Sequence, residues 1–152
     1  MKPLVNKFIH FGDIKFDINK WEDVIDTHWI KPMGGLWASR KHVPYGWFQW
    51  NASNHYMDCS SYNCFEFSLK PEARILTIKS VEDLKDLPKH EPEKCFQLLR
   101  VFETVYLDFN KLKEDYDAIE VFISSDRRLY RALYGWDCDS ILIMNKDVID
   151  YA

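Results

Sequence analysis

Short apolar segments make up this chain, and strand-like and helix-like segments follow one another without regular alternation. The strand candidates, chosen by alternating or compact apolar residues, are residues 4–11, 36–39, 63–69, 74–79, 118–123 and 140–144. A doubly wound parallel sheet needs a regular succession of strand, helix and strand, so this order disfavours that fold. It predicts an α+β fold with a mixed or antiparallel sheet, short peripheral helices and a cleft.

Helical spacing and capping residues predict several short helices. The candidates are an amphipathic helix within residues 17–26, a helix within 45–56 that begins near Pro44, one at 81–87 capped by Ser80, one at 109–115 capped by Asp108, and one from Ser124 or Ser125 to Tyr134. Residues 93–103 fit either a helix or a strand. Residues 145–147 begin a last turn.

Length and composition predict one domain over residues 1–152, since 47% of the chain is apolar. The net charge is −4 and the basic residues are scattered, so the long basic stripe of a nucleic-acid binder is missing. No stretch reaches the ~18 apolar residues of a membrane span, and the first residues lack a secretory leader. We therefore expect a cytoplasmic protein without a membrane partner.

Four cysteines, Cys59, Cys64, Cys95 and Cys138, form no C-x-x-C pair. In a cytoplasmic protein they are expected to be reduced thiols. A zinc site from Cys59, Cys64 and His55 would not have the spacing of a standard zinc finger, so we expect no metal.

Aromatic residues are concentrated in the first third of the chain. Five of the six tryptophans, Trp21, Trp29, Trp37, Trp47 and Trp50, lie within residues 21–50. Such a cluster fits either an aromatic-rich core or a site for a flat ring ligand.

The signatures of several large enzyme classes are missing. The sequence contains no phosphate-binding loop, no Rossmann glycine fingerprint, no H-E-x-x-H and no G-x-S-x-G. Glu66 and Glu120 lie on predicted strands, where they could pair as acid and base or simply face solvent.

Three remaining segments attract attention by their order. His10 ends the first strand, residues 34–39 hold two glycines followed by Trp37, and Asp139 directly precedes an apolar strand. Each segment alone is a weak signal, because a histidine at a strand end is commonly structural.

Together the segments resemble the histidine–aromatic–carboxylate branch of the ADP-ribosyltransferases, which includes diphtheria-like toxins and poly(ADP-ribose) polymerases. In that family a histidine ends the first strand, as His10 does, and a glycine–aliphatic–aromatic–small segment follows, as in residues 35–39. A second aromatic residue lies further on, for which Tyr45 and Trp47 compete. The catalytic acid opens a late apolar strand, as Asp139 does. The sequences of residues 31–39 and 135–145 also resemble those of small bacterial and phage proteins.

The resemblance implies a two-sheet fold with a central NAD cleft. The NAD-binding set that it implies is His10, Phe11, Gly12, Trp37, Ser39, Tyr45 and Trp47. The two aromatic faces would sandwich the nicotinamide, and His10 would hold the ribose. Asp139 would stabilise the positive charge that develops on the ribose as nicotinamide leaves. Asp137 is the rival carboxylate.

The implied activity is mono-ADP-ribosyl transfer from NAD to a macromolecular acceptor, a protein rather than a nucleic acid, in the manner of a bacterial or phage effector. Three positions depart from the family: Phe11 replaces a glycine, Trp37 a tyrosine and Asp139 a glutamate. The shorter acid keeps two alternatives open, an NAD glycohydrolase and a catalytically silent NAD-binding or protein-inhibitor module.

Overall fold

The computed structural model describes residues 6–27, 31–57, 59–60, 62–90, 104–133 and 135–151. The strands are β1 (Phe8–Phe11), β2 (Leu36–Arg40), β3 (Cys64–Leu69), β4 (Ile75–Ile78), β5 (Ala118–Val121), β6 (Ser140–Ile143) and β7 (Ile149–Asp150). The α-helices are α1 (Trp47–Asn54), α2 (Phe109–Asp115) and α3 (Arg127–Ala132). Short 3-10 turns lie at Ile18–Lys20, Val81–Leu84, Ile123–Ser125 and Lys146–Val148. The fold is therefore α+β, as predicted.

The strands form one mixed sheet in the order β4-β5-β6-β2-β1-β3-β7, in which only β4 and β5 are paired in parallel. The expectation of two sheets is corrected here, because β2 and β1 join the two halves. That joint is narrow: its register contains only the pairs Phe8 with Arg40 and Ile9 with Ser39. In contrast, all four residues of β1 pair with β3.

Alternation along the strands divides the core between the two faces of the sheet. On β6, Leu142 packs into one cluster with residues of α2 and α3, such as Leu112 and Leu129. Its neighbours Ile141 and Ile143 pack into the other cluster. Successive strand residues point to opposite faces, so both faces of β6 are buried. This is why the sequence shows a continuous apolar run there.

Two of the helix predictions agree closely with the structure. Helix α2 has the predicted bounds, and the side chain of Asp108 accepts a hydrogen bond from the Lys111 amide at 3.1 Å. Helix α1 lies within residues 45–56 but begins at Trp47, after Gly46, and not near Pro44. Capping by Asp108 was a sufficient signal for α2, whereas the proline did not mark the start of α1.

The amphipathic helix expected within residues 17–26 is wrong. Only the 3-10 turn Ile18–Lys20 forms there, and Trp21, which ends it, has an extended backbone. The Glu22 carbonyl instead accepts the Gly35 amide at 2.8 Å, and Ile25 forms a β-bridge with Met33. Backbone pairing with a later segment has overridden the local periodicity.

Smaller corrections concern the ends of elements. Helix α3 is capped by Asp126, not by Ser124 or Ser125, and ends at Ala132. The helix expected at residues 81–87 is the turn Val81–Leu84, and β7 was not predicted. The ambiguous residues 93–103 lie outside the described residues. Among the described helices, none combines the length and apolar character needed to cross a membrane.

Candidate functional site

A cleft opens in the sheet where β1 and β2 stop pairing. Beyond the pair of Ile9 with Ser39, the register of β1 with β2 ends, so His10 and Phe11 are on one side of the opening and Trp37 is on the other. The cavity there has a volume of about 260 Å³. Its aromatic lining is Phe11, Trp37, Trp47 and Tyr56, and its polar lining includes His10, Lys31, Asp137 and Ser140.

Two glycines place Trp37 at this opening. Gly34 and Gly35 precede β2 with φ angles of 83° and 71°, which residues with a side chain rarely adopt. A Cβ on Gly35 would lie 2.6 Å from the carbonyl oxygen of Ile143, and one on Gly34 would collide with the carbonyl of Asp23. The glycine pair therefore lets the backbone pass between two other segments before β2 begins.

Part of the predicted site is brought together and part is not. His10, Phe11, Trp37 and Trp47 line the cleft. The residues predicted for the site that are not among its lining are Gly12, Ser39, Tyr45 and Asp139. Of the two competing second aromatics, Trp47 faces the cleft. Tyr56, Lys31 and Ser140 were not predicted, because their positions depend on how separate segments meet.

His10 bridges the opening. Its Nδ1 lies 2.6 Å from the carbonyl oxygen of Trp37, and its Nε2 lies 3.2 Å from Oδ2 of Asp13. A carbonyl oxygen only accepts hydrogen bonds, so Nδ1 is the donor to Trp37. The carboxylate of Asp13 also only accepts, so Nε2 donates to it, and a ligand hydroxyl would share this nitrogen with Asp13. The imidazole also packs on Phe65, with ring centroids 5.1 Å apart.

Trp37 is fixed from behind by another tryptophan. The fully buried Trp136 meets it edge to face, with ring centroids 4.7 Å apart. Lys31 Nζ lies over the Trp37 ring, 5.0 Å from its centroid. The indole is therefore a rigid platform that already carries a cationic group.

Trp47 belongs to an aromatic group at the mouth of the cleft. Its ring is stacked on Trp50 with centroids 4.9 Å apart, and Tyr56 meets it edge-on at 6.0 Å. Its backbone amide donates to the hydroxyl of Ser39 at 2.9 Å, and its indole N–H donates to the sulfur of Met57 at 3.3 Å. These bonds hold the second aromatic wall in place.

Asp139 does not face the cleft. It is 1% exposed, and its Oδ1 accepts the Ser124 amide at 2.8 Å. Its Oδ2 accepts the Ser124 hydroxyl at 2.7 Å and the Tyr45 amide at 3.1 Å. The Asp139 amide also donates to the Tyr45 carbonyl at 2.7 Å, and its carbonyl accepts the Ser39 hydroxyl at 2.9 Å. We call this network of Asp139, Ser124, Tyr45 and Ser39 the β6 junction.

The structure places Asp139, Ser39 and Tyr45 outside the cleft lining, although Ser39 borders a neighbouring depression. The carboxylate of Asp139 is occupied by the turn after β5 and by the Tyr45 amide, and the hydroxyl of Ser39 by the Asp139 carbonyl and the start of α1. Buried carboxylates with such partners support the fold and leave little acceptor capacity for a substrate.

Asp137 is the carboxylate that lines the cleft. Its side chain is 29% exposed, and its Oδ2 lies 4.0 Å from Lys31 Nζ. Burial lowers the pKa of Lys31, and the negative charge of Asp137 opposes that shift. Cys138 follows it, and burial raises the pKa of this thiol to about 12, which makes it a poor nucleophile.

A separate cluster has the spacing of metal ligands. In the part of the chain that the structure describes, one group has ligand atoms close enough together to hold a metal ion: Asp26, His90 and Asp108. The set of Cys59, Cys64 and His55 does not have this spacing. His90 Nε2 lies 3.0 Å from Asp26 Oδ2. The Asp26 carboxylate also accepts the Phe109 amide at 3.0 Å, and Asp108 caps α2. The cluster therefore serves the start of α2, and its members do not line the cleft.

The cleft thus combines two aromatic walls, a histidine, a carboxylate and a cation, all of which lie at the opening between β1 and β2.

Comparison of the chain with protein-family models, with curated proteins and with solved structures gave no match.

Proposed function

We propose that this protein binds NAD in the cleft, breaks the nicotinamide–ribose bond and transfers ADP-ribose to a macromolecular acceptor. The observation that carries the proposal is that His10, Trp37 and a carboxylate, from three distant segments, line one cavity. The carboxylate is Asp137 and not Asp139. With a net charge of −4, the chain favours a protein over a nucleic acid as the acceptor.

The aromatic walls suit the nicotinamide end of NAD. Trp37 and Trp47 offer two faces for a flat ring, and Phe11 borders the same space. The cavity of about 260 Å³ is smaller than the roughly 300–1,000 Å³ of sites for drug-sized ligands. A second depression of about 360 Å³ shares Ile9, Phe11 and Trp47 with it, which leaves room for the rest of the dinucleotide.

The chemistry requires an anion beside the ribose. As nicotinamide leaves, positive charge develops on the ribose, and a carboxylate held next to it lowers the energy of the transition state. Asp137 supplies that charge from a position that solvent and ligand can reach. Since the Nδ1 of His10 is committed to the Trp37 carbonyl, a ribose hydroxyl would share Nε2 with the carboxylate of Asp13.

The test is incubation with NAD labelled in the adenosine moiety, with and without cell lysate. Transfer gives a labelled macromolecule, and we expect Asp137→Asn to lower its rate roughly 100-fold while NAD affinity changes little. Asp147→Asn, an exposed carboxylate beyond the other end of β6, is the matched control and should leave the rate unchanged. Release of neither nicotinamide nor ADP-ribose, together with no calorimetric binding of NAD at millimolar concentration, would contradict the proposal.

A silent NAD-binding or protein-inhibitor module is the second candidate. One observation favours it. Asp139 is the acid at the strand position typical of the family, and its carboxylate is already hydrogen-bonded within the β6 junction. A rise in Tm on adding NAD without any turnover would identify this function, because a ligand that binds only the native state stabilises it. Free ADP-ribose without a labelled acceptor would instead identify a glycohydrolase.

A further inference from the structure

Lys31 is the one cationic side chain among the described residues that line the cleft. Its backbone is held in place, because its carbonyl accepts the Thr27 hydroxyl at 2.8 Å and Ile25 forms a β-bridge with Met33 beside it. Its side chain is 37% exposed, and four flexible carbons connect the fixed backbone to the ammonium group. Lys31 is therefore anchored at the rim while its charge can move within the cleft.

Among the described residues, none accepts a hydrogen bond from the ammonium group of Lys31. Asp137 Oδ2 is 4.0 Å away, which is too far for a hydrogen bond, and no other described residue accepts one from Nζ. Burial lowers the pKa of Lys31, which reflects the loss of water around its charge. An ammonium has three donors, so this group is suited to receive an anion from outside the protein.

The position of Lys31 also conflicts with a stacked nicotinamide. Nζ lies 5.0 Å from the centroid of the Trp37 ring, where one face of a flat ligand would pack. The nicotinamide of NAD is itself a cation, so a ring stacked there meets a like charge. A negative group on the same ligand would remove the conflict by drawing the ammonium away from the Trp37 face.

We propose that Lys31 binds a phosphate carried on the ribose of the ring ligand, so that the cleft selects phosphorylated nicotinamide ligands over the unphosphorylated riboside. This inference rests on the proposed function and specifies which part of the dinucleotide the cleft recognises. Lys31 then acts in two opposite ways: it opposes the cationic ring by charge and favours the ligand through its phosphate.

These two roles predict effects of opposite sign in one variant. Lys31→Met removes the phosphate partner and also removes the charge over Trp37. Binding of nicotinamide mononucleotide and NAD should weaken at least about 10-fold, as expected for loss of a charge-assisted hydrogen bond. Binding of nicotinamide riboside should stay the same or become tighter. Lys31→Arg keeps the positive charge and should keep the preference for phosphate.

The experiment is calorimetric titration of the full chain with the riboside, the mononucleotide and NAD. The wild type should bind the two phosphorylated ligands at least about 10-fold more tightly than the riboside, with a preference that decreases as salt rises. Lys146→Met, an exposed lysine in the turn after β6, is the matched control and should behave as the wild type. Urea unfolding of each variant reports whether it is folded, and Lys31→Arg provides the comparison if Lys31→Met is unstable.

Two outcomes separate this inference from the proposed function. If the wild type binds the riboside and the mononucleotide equally, and Lys31→Met changes neither, Lys31 is not a phosphate-binding residue although the cleft still binds nicotinamide. If the wild type binds none of the three ligands, the proposed function itself is overturned.

Discussion

Asp137 and Asp139 lie two residues apart on the chain that enters β6, yet they occupy opposite environments. Asp139 is 1% exposed, and its carboxylate accepts three hydrogen bonds within the β6 junction. Asp137 is partly exposed, lines the cleft and has Lys31 as its nearest cationic group at 4.0 Å. One carboxylate is committed to the fold, whereas the other is accessible to a ligand.

The difference shows that the residue at the start of a strand is not necessarily the residue that faces a site. Strand β6 begins at Ser140, so Asp137 and Asp139 lie in the irregular segment before it. The two-residue alternation of a strand does not apply there, and the two side chains diverge. Of these two carboxylates, Asp137 is the one with free acceptor capacity, which the proposed catalytic role requires.

The largest expected effect is the loss of stability in Asp139→Ala. It would remove three hydrogen bonds, those from the partly buried Tyr45 amide and from both donors of the exposed Ser124 to the buried carboxylate, each worth about 1 kcal/mol or more. We expect the free energy of unfolding to fall by about 3 kcal/mol or more, measured as a lower urea midpoint with an unchanged slope.

Asp137→Ala is the control for that measurement. Its partly exposed ion pair with Lys31 contributes at most about 1 kcal/mol, so its urea midpoint should stay close to that of the wild type. Equal losses in the two variants would show that the contrast between the carboxylates is wrong.

A second buried carboxylate, Asp117, is expected to make the free energy of unfolding depend on pH. Burial alone would raise the pKa of Asp117, but hydrogen bonds from Arg74 and Asn145 outweigh it and lower the pKa from 3.8 to about 2. The native state therefore binds fewer protons than the unfolded state in this window. The stabilisation is present above about pH 4 and is lost as the pH falls towards 2, a change of roughly 2 kcal/mol.

Urea unfolding at pH 5 and at pH 2.5 tests this expectation. Asp117→Asn should be less stable than the wild type at pH 5, and the gap should shrink at pH 2.5. A gap that stays constant with pH would mean that Asp117 is not titrating in this window.

A smaller effect is expected from Ser124→Ala, which removes only one of the hydrogen bonds to Asp139. The free energy of unfolding should fall by about 1 kcal/mol, the usual contribution of a single hydrogen bond. In a double-mutant cycle, Ser124→Ala should couple to Asp139→Ala by about 1 kcal/mol and should be additive with Asp137→Ala. Coupling to Asp137 instead would place that carboxylate in the junction.

The smallest effect concerns Cys138, which lies between the two carboxylates and lines the cleft. Burial raises its pKa to about 12, so almost none of the reactive thiolate forms near neutral pH. Cys138→Ala should keep NAD turnover within about 2-fold of the wild type, and iodoacetamide should modify this thiol only after unfolding. Strong inactivation by the substitution would assign it a role in catalysis.

Local signals predicted the elements whose ends are set within a few residues. Helix α2 was predictable because Asp108 caps it and Phe109 and Leu112 are spaced for one buried face. The segment 17–26 has comparable spacing, but Ile18 and Ile25 are 54% and 53% exposed in the structure. Its backbone pairs with residues 33–35, and no local pattern records such a partner.

By itself, the sequence determined the α+β class, the apolar strand β6, the glycine pair before Trp37 and the candidates His10, Trp37 and Trp47. The fold class, the strand and the glycine pair follow from periodicity and backbone preferences, which act between near neighbours in the chain, whereas the three candidates come from the resemblance to the ADP-ribosyltransferases. Only the tertiary structure decided that β1 and β2 separate after two pairs, that Asp137 and Lys31 meet in that opening, and that Asp139 is enclosed by Ser124 and Tyr45. Those outcomes depend on contacts between residues that are far apart in the sequence, such as Lys31 and Asp137, which are separated by 106 positions. Packing therefore selects which of the two neighbouring carboxylates faces the cleft.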